Sequence, residues 1–188
     1  MPVAFAMIST GVIGFALIVS PHAAFSMVIA DITGTFSSYS LTVIPLFVFM
    51  GQVAFHAGIS KRLFRSAYAW IGHLPGGLAM ATVGACAGFG AICGSGPATA
   101  ATMTSVALPE MRRYRYSDEL ASGTIAAGGG LGMLIPPSVV FIVYALMTEQ
   151  SIGSLFLAGI IPGIMIVGLF CVLIGIRCKM RNELGRSE

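Results

Sequence analysis

The chain has 188 residues, of which 56% are hydrophobic and only 9% charged, with a formal net charge of +3 at pH 7. Soluble domains carry about 25% charged residues, so this composition excludes an ordinary soluble fold and points to an all-α, polytopic membrane protein. Apolar runs such as residues 3–19 and 154–176 match the roughly 20 helical residues that cross a hydrocarbon core of about 30 Å.

In chain order, a first span is expected from Pro2 to Ser20. Its start, "MPVAFAM", has no basic region and no small-residue cleavage site follows, so it does not read as a cleaved signal. Residues 21–40 then run as an interfacial or amphipathic stretch. A second span, Leu41 to Gly58, leads to the basic cluster Lys61, Arg62 and Arg65. The segment "ISKRLFRSAYAWIG" reads as an in-plane helix with Tyr68 and Trp70 in an interfacial belt.

Two further basic clusters follow: Arg112, Arg113 and Arg115, and then Arg177, Lys179, Arg181 and Arg186. The positive-inside rule places all three clusters on the cytoplasmic face, and Asp31 and the stretch Thr148 to Ser151 on the opposite one. The Arg112 cluster reads as a topology anchor and not as a nucleic-acid patch. His22, His56 and His73 fall at span ends and read as interfacial residues.

Between Ser66 and Pro109 there is no Asp, Glu, Lys or Arg, yet both ends are assigned to one face. The tract must cross an even number of times or dip in and return. Pro97 to Pro109 is 13 residues, about 20 Å as a helix, too short to span. A re-entrant helical hairpin over residues 75–109 is therefore expected, with arms Pro75 to Cys93 and Pro97 to Pro109 and the tip at "GSGP". A loop over 110–117 should follow.

Residues 118–148 must then cross the membrane. Ser117 followed by Asp118 and Glu119 is a good helix start, a side-chain cap with acids in the positive first turn. Near the middle, Pro136 and Pro137 remove two amide donors and push Ile135 out of helical geometry, so this helix is expected to be broken. A last transmembrane helix and a basic tail occupy 151–188.

Irregular backbone at membrane depth is tolerated only where protein buries it or where it lines a wet cavity. A break presents free amides at one new N-terminus and free carbonyls at a new C-terminus; the first suits an anion and the second a hard cation such as Na+. Gly94 can close the first arm in a left-handed conformation and Pro97 suits the first turn of the next. Ser95 and Thr99 add hydroxyl oxygens, and Gly96 lets a ligand approach the main chain. In the second break, Gly132 allows close helix approach and Ser138 is the polar group after the prolines.

Close packing is the competing reading, because Gly84 to Gly88, Gly90 to Gly94 and Gly128 to Gly132 each fit G-x-x-x-G. Two breaks in one uncharged region favour a site. The cysteines, Cys86, Cys93, Cys171 and Cys178, form two pairs seven apart without nearby histidines, which suits helix faces and not a zinc site. The "GGGLG" run lacks the strand and acidic residue of a dinucleotide loop. No H-E-x-x-H, paired deep carboxylates or G-x-S-x-G is present, so no enzyme is expected.

Three long stretches, "LTVIPLFVFMGQVAFHAGISKRLF", "WIGHLPGGLAMATVGACAGFGAICGSGPATAATMTSVALPEMRRYRY" and "LASGTIAAGGGLGMLIPPSVVFIVYALMTEQSIGSLFLAGIIPG", resemble the large permease subunit (DctM type) of tripartite ATP-independent periplasmic (TRAP) transporters. The resemblance implies a bacterial inner-membrane carrier driven by Na+, with no other cofactor, importing organic acids such as C4-dicarboxylates or sialic acid. It implies two partners: a small membrane subunit (DctQ type) and a periplasmic substrate-binding protein. It also implies inverted repeats, each with a helical hairpin and a discontinuous helix, that move like an elevator.

On that pattern residues 1–74 are scaffold-type helices with an interfacial arm, 75–150 belong to the transport domain, and 151–188 form a membrane helix and tail. The hairpin tip maps onto Gly94, Ser95, Gly96, Pro97 and Thr99, and the unwound helix onto Gly132, Pro136, Pro137 and Ser138. On the same pattern the chain looks like the first half of such a subunit with the family's initial helix missing. Cys93 stands where many members have serine, which removes a hard-cation ligand.

Overall fold

The computed structural model describes residues 3–37 and 39–180. Among them are nine α-helices, one 3-10 turn and no strand, as expected where backbone polar groups must be satisfied within the segment itself. The basic residues Arg181 and Arg186 lie outside the described residues. By contacts the chain divides into two compact units, up to Val43 and from Ile44 onward.

The first unit is a helix pair, α1 (Val3–Ile18) and α2 (Pro21–Ser37), packed on each other. The predicted end at Ser20 has a local cause: its hydroxyl accepts the Ala23 amide at 3.2 Å, and Pro21 occupies the first helical position, where a missing amide costs nothing. The stretch expected to be interfacial is a 17-residue helix followed by a 3-10 turn at Tyr39–Thr42.

The second unit begins with α3 (Val43–His56), which is 14 residues long. The predicted span from Leu41 to Gly58 is therefore shortened at both ends: the 3-10 turn takes Leu41 and Thr42, and Pro45 suits the helix's first turn. Gly58, at φ 72°, then turns the chain, and α4 (Ile59–Ile71) leaves at 67° to α3. Its Ser60 and Phe64 are buried, while Trp70 is 82% exposed. That polarity is what an arm lying on a bundle requires.

The centre of the unit is α5 (Gly77–Cys93), with 12 of its 17 residues buried. It packs on α4, α6 (Gly96–Arg113), α7 (Asp118–Leu134) and α9 (Ile152–Met180). Small residues make these approaches possible. A Cβ on Gly84 would lie 3.8 Å from Ala67 of α4, and one on Gly128 would come within 2.9 Å of Cys86 Sγ. Close approach of this kind lets dispersion contacts hold helices together where lipid removes the hydrophobic drive. Cys86, Cys93 and Cys178 are buried free thiols and Cys171 is half-buried, in keeping with helix-face packing.

The hairpin departs from expectation in its second arm. Pro109 does not end it: α6 runs 18 residues through Pro109 to Arg113, about 27 Å at 1.5 Å per residue. Length alone therefore no longer excludes a crossing. Proline inside a helix removes the donor for the carbonyl four residues earlier, here Ser105, and Ser105 and Pro109 both line a cavity of about 360 Å³. Arg112 and Arg113 occupy the last turn, where cations oppose the helix dipole favourably. The loop shrinks to residues 114–117, closed by an Arg112–Asp118 ion pair at 2.8 Å.

The broken helix follows the sequence reading. Ser117 caps α7 by accepting the Leu120 amide at 3.2 Å, the helix stops at Leu134, and α8 (Val139–Met147) resumes at 41°. α9 spans 29 residues and is long and apolar enough to cross a membrane alone; the bent pairs α3/α4 and α7/α8 pass the same test only when each is joined.

Candidate functional site

The two breaks meet. Cys86 lies beside Gly128, Gly90 beside Gly132, and Gly94 beside Pro137, so α5 and α7 run parallel and end together. At Gly90 and Gly132 the main chains nearly touch: a Cβ on Gly90 would come within 2.6 Å of Gly132 Cα. Beyond them the Val139 amide donates to the Gly94 carbonyl at 3.3 Å, tying the second break to the first.

Each break is built by its own local chemistry. Gly94 adopts φ 62°, a left-handed cap that closes α5 by donating its amide to the Gly90 carbonyl, as glycine does at least cost. Ser95 is extended and starts α6, its hydroxyl accepting the Ala98 amide at 3.5 Å, and Pro97 stands exposed in the first turn. In the second break Ile135 is extended and Pro136–Pro137 carry the chain to Ser138. Ser138 is completely buried and its hydroxyl donates backward to the Met133 carbonyl at 2.6 Å. It therefore makes no side-chain cap on α8, whose first-turn amides are left without that acceptor.

A second polar group sits inside the tip. Thr99, also completely buried, donates its hydroxyl to the Ser95 carbonyl at 2.8 Å. Cys93 Sγ lies 3.1 Å from the Thr99 oxygen; because Thr99 has given its one proton to Ser95, the thiol is the donor of that contact. Gly132 faces both groups: a Cβ there would come within 2.7 Å of Thr99 Oγ1 and 3.0 Å of the Ser95 carbonyl. Gly96 is equally confined, by Met133 and the Gly129 carbonyl. All nine residues picked out by sequence thus fall in or beside one junction of four helix ends.

Their polarity is sorted. The C-terminal ends of α5 and α7 carry partial negative charge on their carbonyls, and the N-terminal ends of α6 and α8 carry partial positive charge on their amides. One small region can therefore face a cation with carbonyl and hydroxyl oxygens and an anion with amides. Among the described residues no group of three or more His, Cys, Asp or Glu could hold a metal. Any cation here would rely on neutral oxygens, as a monovalent ion can.

Four neighbours were not singled out from the sequence. Gly51 of α3 lies against the tip, a Cβ there coming within 2.7 Å of Cys93 Cβ. Gln52, Ser95, Thr102 and Ser105 line a cavity of about 350 Å³ beside that contact. Gly159 and Gly163 of α9 press on the second break, against Phe141 and Ile135. The last pair carries a G-x-x-x-G signal that could have found it; Gly51 and Gln52 carry none.

The fold and this junction define a class: an all-α polytopic membrane protein in which a helical hairpin packs lengthwise along an interrupted helix, with its tip against the break. The DctM component of tripartite ATP-independent periplasmic transporters matches by its family model over residues 1–188, and the chain belongs to that family. It is similar to the C4-dicarboxylate TRAP transporter large permease protein DctM of Pseudomonas aeruginosa, with 40% identity over 166 residues, 88% of this chain and 39% of that protein. The isethionate TRAP transporter permease protein DctMQ of Oleidesulfovibrio alaskensis is 42% identical over 128 residues, 68% of this chain and 20% of that protein. The sialic acid TRAP transporter large permease protein SiaM of Vibrio cholerae is 33% identical over 182 residues, 97% of this chain and 42% of that protein. The chain thus spans about two fifths of the large permeases it matches.

Proposed function

We propose that the chain forms one repeat of a Na+-coupled secondary transporter that imports organic acids across the bacterial inner membrane. The observation that carries this is the meeting of four helix ends, two carbonyl ends and two amide ends, around Ser95, Thr99, Gly132 and Ser138. In this reading Na+ sits against the carbonyl ends of α5 and α7 with the hydroxyls nearby. The carboxylate of the solute faces the amides that begin α6 and α8. Residues 75–150 move with the solute, while 1–74 belong to the scaffold and 151–188 to a membrane helix with a cytoplasmic basic tail.

A periplasmic binding protein would deliver the solute and a small membrane subunit would brace the permease; the relative from Oleidesulfovibrio alaskensis, whose name joins M and Q, supports such a pairing. The relatives named for C4-dicarboxylates and sialic acid support the organic-acid class.

The test uses the intact transporter in a background lacking Cys86, Cys93, Cys171 and Cys178. In a Ser95→Cys variant, maleimide labelling should slow when Na+ replaces choline, and uptake should require an inward Na+ gradient. Equal labelling rates with Na+ and choline would remove the ion from this junction, and uptake without Na+ would favour a channel or a differently driven carrier.

A further inference from the structure

Away from the helix breaks, a cavity of about 320 Å³ opens between α5, α7 and α9. Val83, Leu120, Ala127, Phe170, Leu173 and Ile174 make its walls apolar, and Leu173 is 54% exposed, so the cleft is open along its flank. Gly123 of α7 keeps it open: a Cβ at that position would meet no atom within 4 Å. Water gains nothing from such walls, whereas a hydrocarbon chain does.

Two charged residues line the same cleft, Glu119 in the first turn of α7 and Arg177 in the last turn of α9. Each sits where its helix dipole favours its charge. Asp118 is committed to Arg112, but among the described residues neither Glu119 nor Arg177 takes part in a salt bridge. The cleft therefore presents one spare acid and one spare base beside an apolar groove.

We propose that this cleft binds a zwitterionic phospholipid with an ammonium headgroup. One acyl chain lies along Val83, Ala127 and Leu173, the phosphate pairs with Arg177 and the ammonium with Glu119. A free anion would meet Glu119 unfavourably and has no use for the groove. An anionic headgroup satisfies Arg177 and leaves Glu119 unmatched, so the charge pattern selects the zwitterion.

The experiment is native mass spectrometry of the delipidated intact transporter, titrated with equal concentrations of phosphatidylethanolamine or phosphatidylglycerol. Phosphatidylethanolamine adducts should exceed phosphatidylglycerol adducts about tenfold. Gly123→Leu fills the groove from a position with free space and should lower phosphatidylethanolamine adducts about tenfold with unchanged thermal unfolding. Glu119→Gln should bring the two lipids to near parity, and Arg177→Gln should weaken both. Undiminished adducts in a folded Gly123→Leu variant would overturn the site. Should that variant not fold, an unchanged lipid preference in Glu119→Gln overturns the assignment equally well.

Discussion

The two helix breaks meet at one place but are built differently. The break at Gly94 and Ser95 closes itself, with a left-handed glycine ending one helix and a serine starting the next. The break at Pro136 to Ser138 does not: its serine turns back to Met133 and its first amide goes to Gly94. A self-closed tip can hold its shape by local rules, whereas the proline break depends on the tip for its satisfaction. The hairpin is thus the template and the interrupted helix the part that conforms to it.

That asymmetry can be broken hardest at Gly94. Gly94→Ala places a Cβ at φ 62° and 2.9 Å from the Pro137 carbonyl, so left-handed strain of about 1–2 kcal/mol adds to a backbone collision. It should lower the unfolding temperature of the purified transporter and its uptake together. Gly130→Ala, whose Cβ meets nothing within 4 Å, should be neutral or gain about 0.5–1 kcal/mol from helix propensity. Equal losses in both would mean that the tip is not the template.

The serines sharpen the comparison at a smaller scale. Ser138→Ala leaves the Met133 carbonyl without its buried donor and should cost about 1–3 kcal/mol. Ser95→Ala removes a cap already stretched to 3.5 Å and should cost about 0.5–1 kcal/mol. Thermal unfolding of the two variants should therefore rank Ser138→Ala below Ser95→Ala; the reverse order would make the buried Ser138 contact the weaker of the two.

The smallest effect lies outside both breaks, at the turn that joins α6 to α7. Arg112 hydrogen-bonds Asp118 and holds its carboxyl below the usual 3.8. A lowered folded value means that the stabilisation is present above about pH 4 and fades as pH falls through the lowered value. Both side chains are mostly exposed, so screening keeps the contribution small. Asp118→Asn should abolish this part of the acid dependence of the unfolding temperature while leaving the behaviour at pH 7 close to wild type.

Much of this arrangement is legible in the residues. Charge placement isolates the hairpin tract, and the chemistry of Gly94, Pro97, Pro136 and Pro137 fixes where both helices break. What sequence reasoning loses is tertiary. Pro109 reads as a stop, but the helix runs on through it to Arg113. Ser138 reads only as the polar group after the prolines; its partner is a carbonyl five residues back that only the folded break presents. Cys93, an unexpected residue at the tip, lies within hydrogen-bond reach of the Thr99 hydroxyl and the Ser95 carbonyl.

The touch between Gly51 and Cys93 has a mechanical meaning. A glycine contributes no knob, and beside it lies open space, the cavity of about 350 Å³ lined by Gln52 and Ser95. Two helices with interlocked side chains resist sliding, because each step needs rotamers to unlock. At Gly51 α3 sets bare main chain against Cys93, so this contact rests on backbone proximity and not on interlocked side chains.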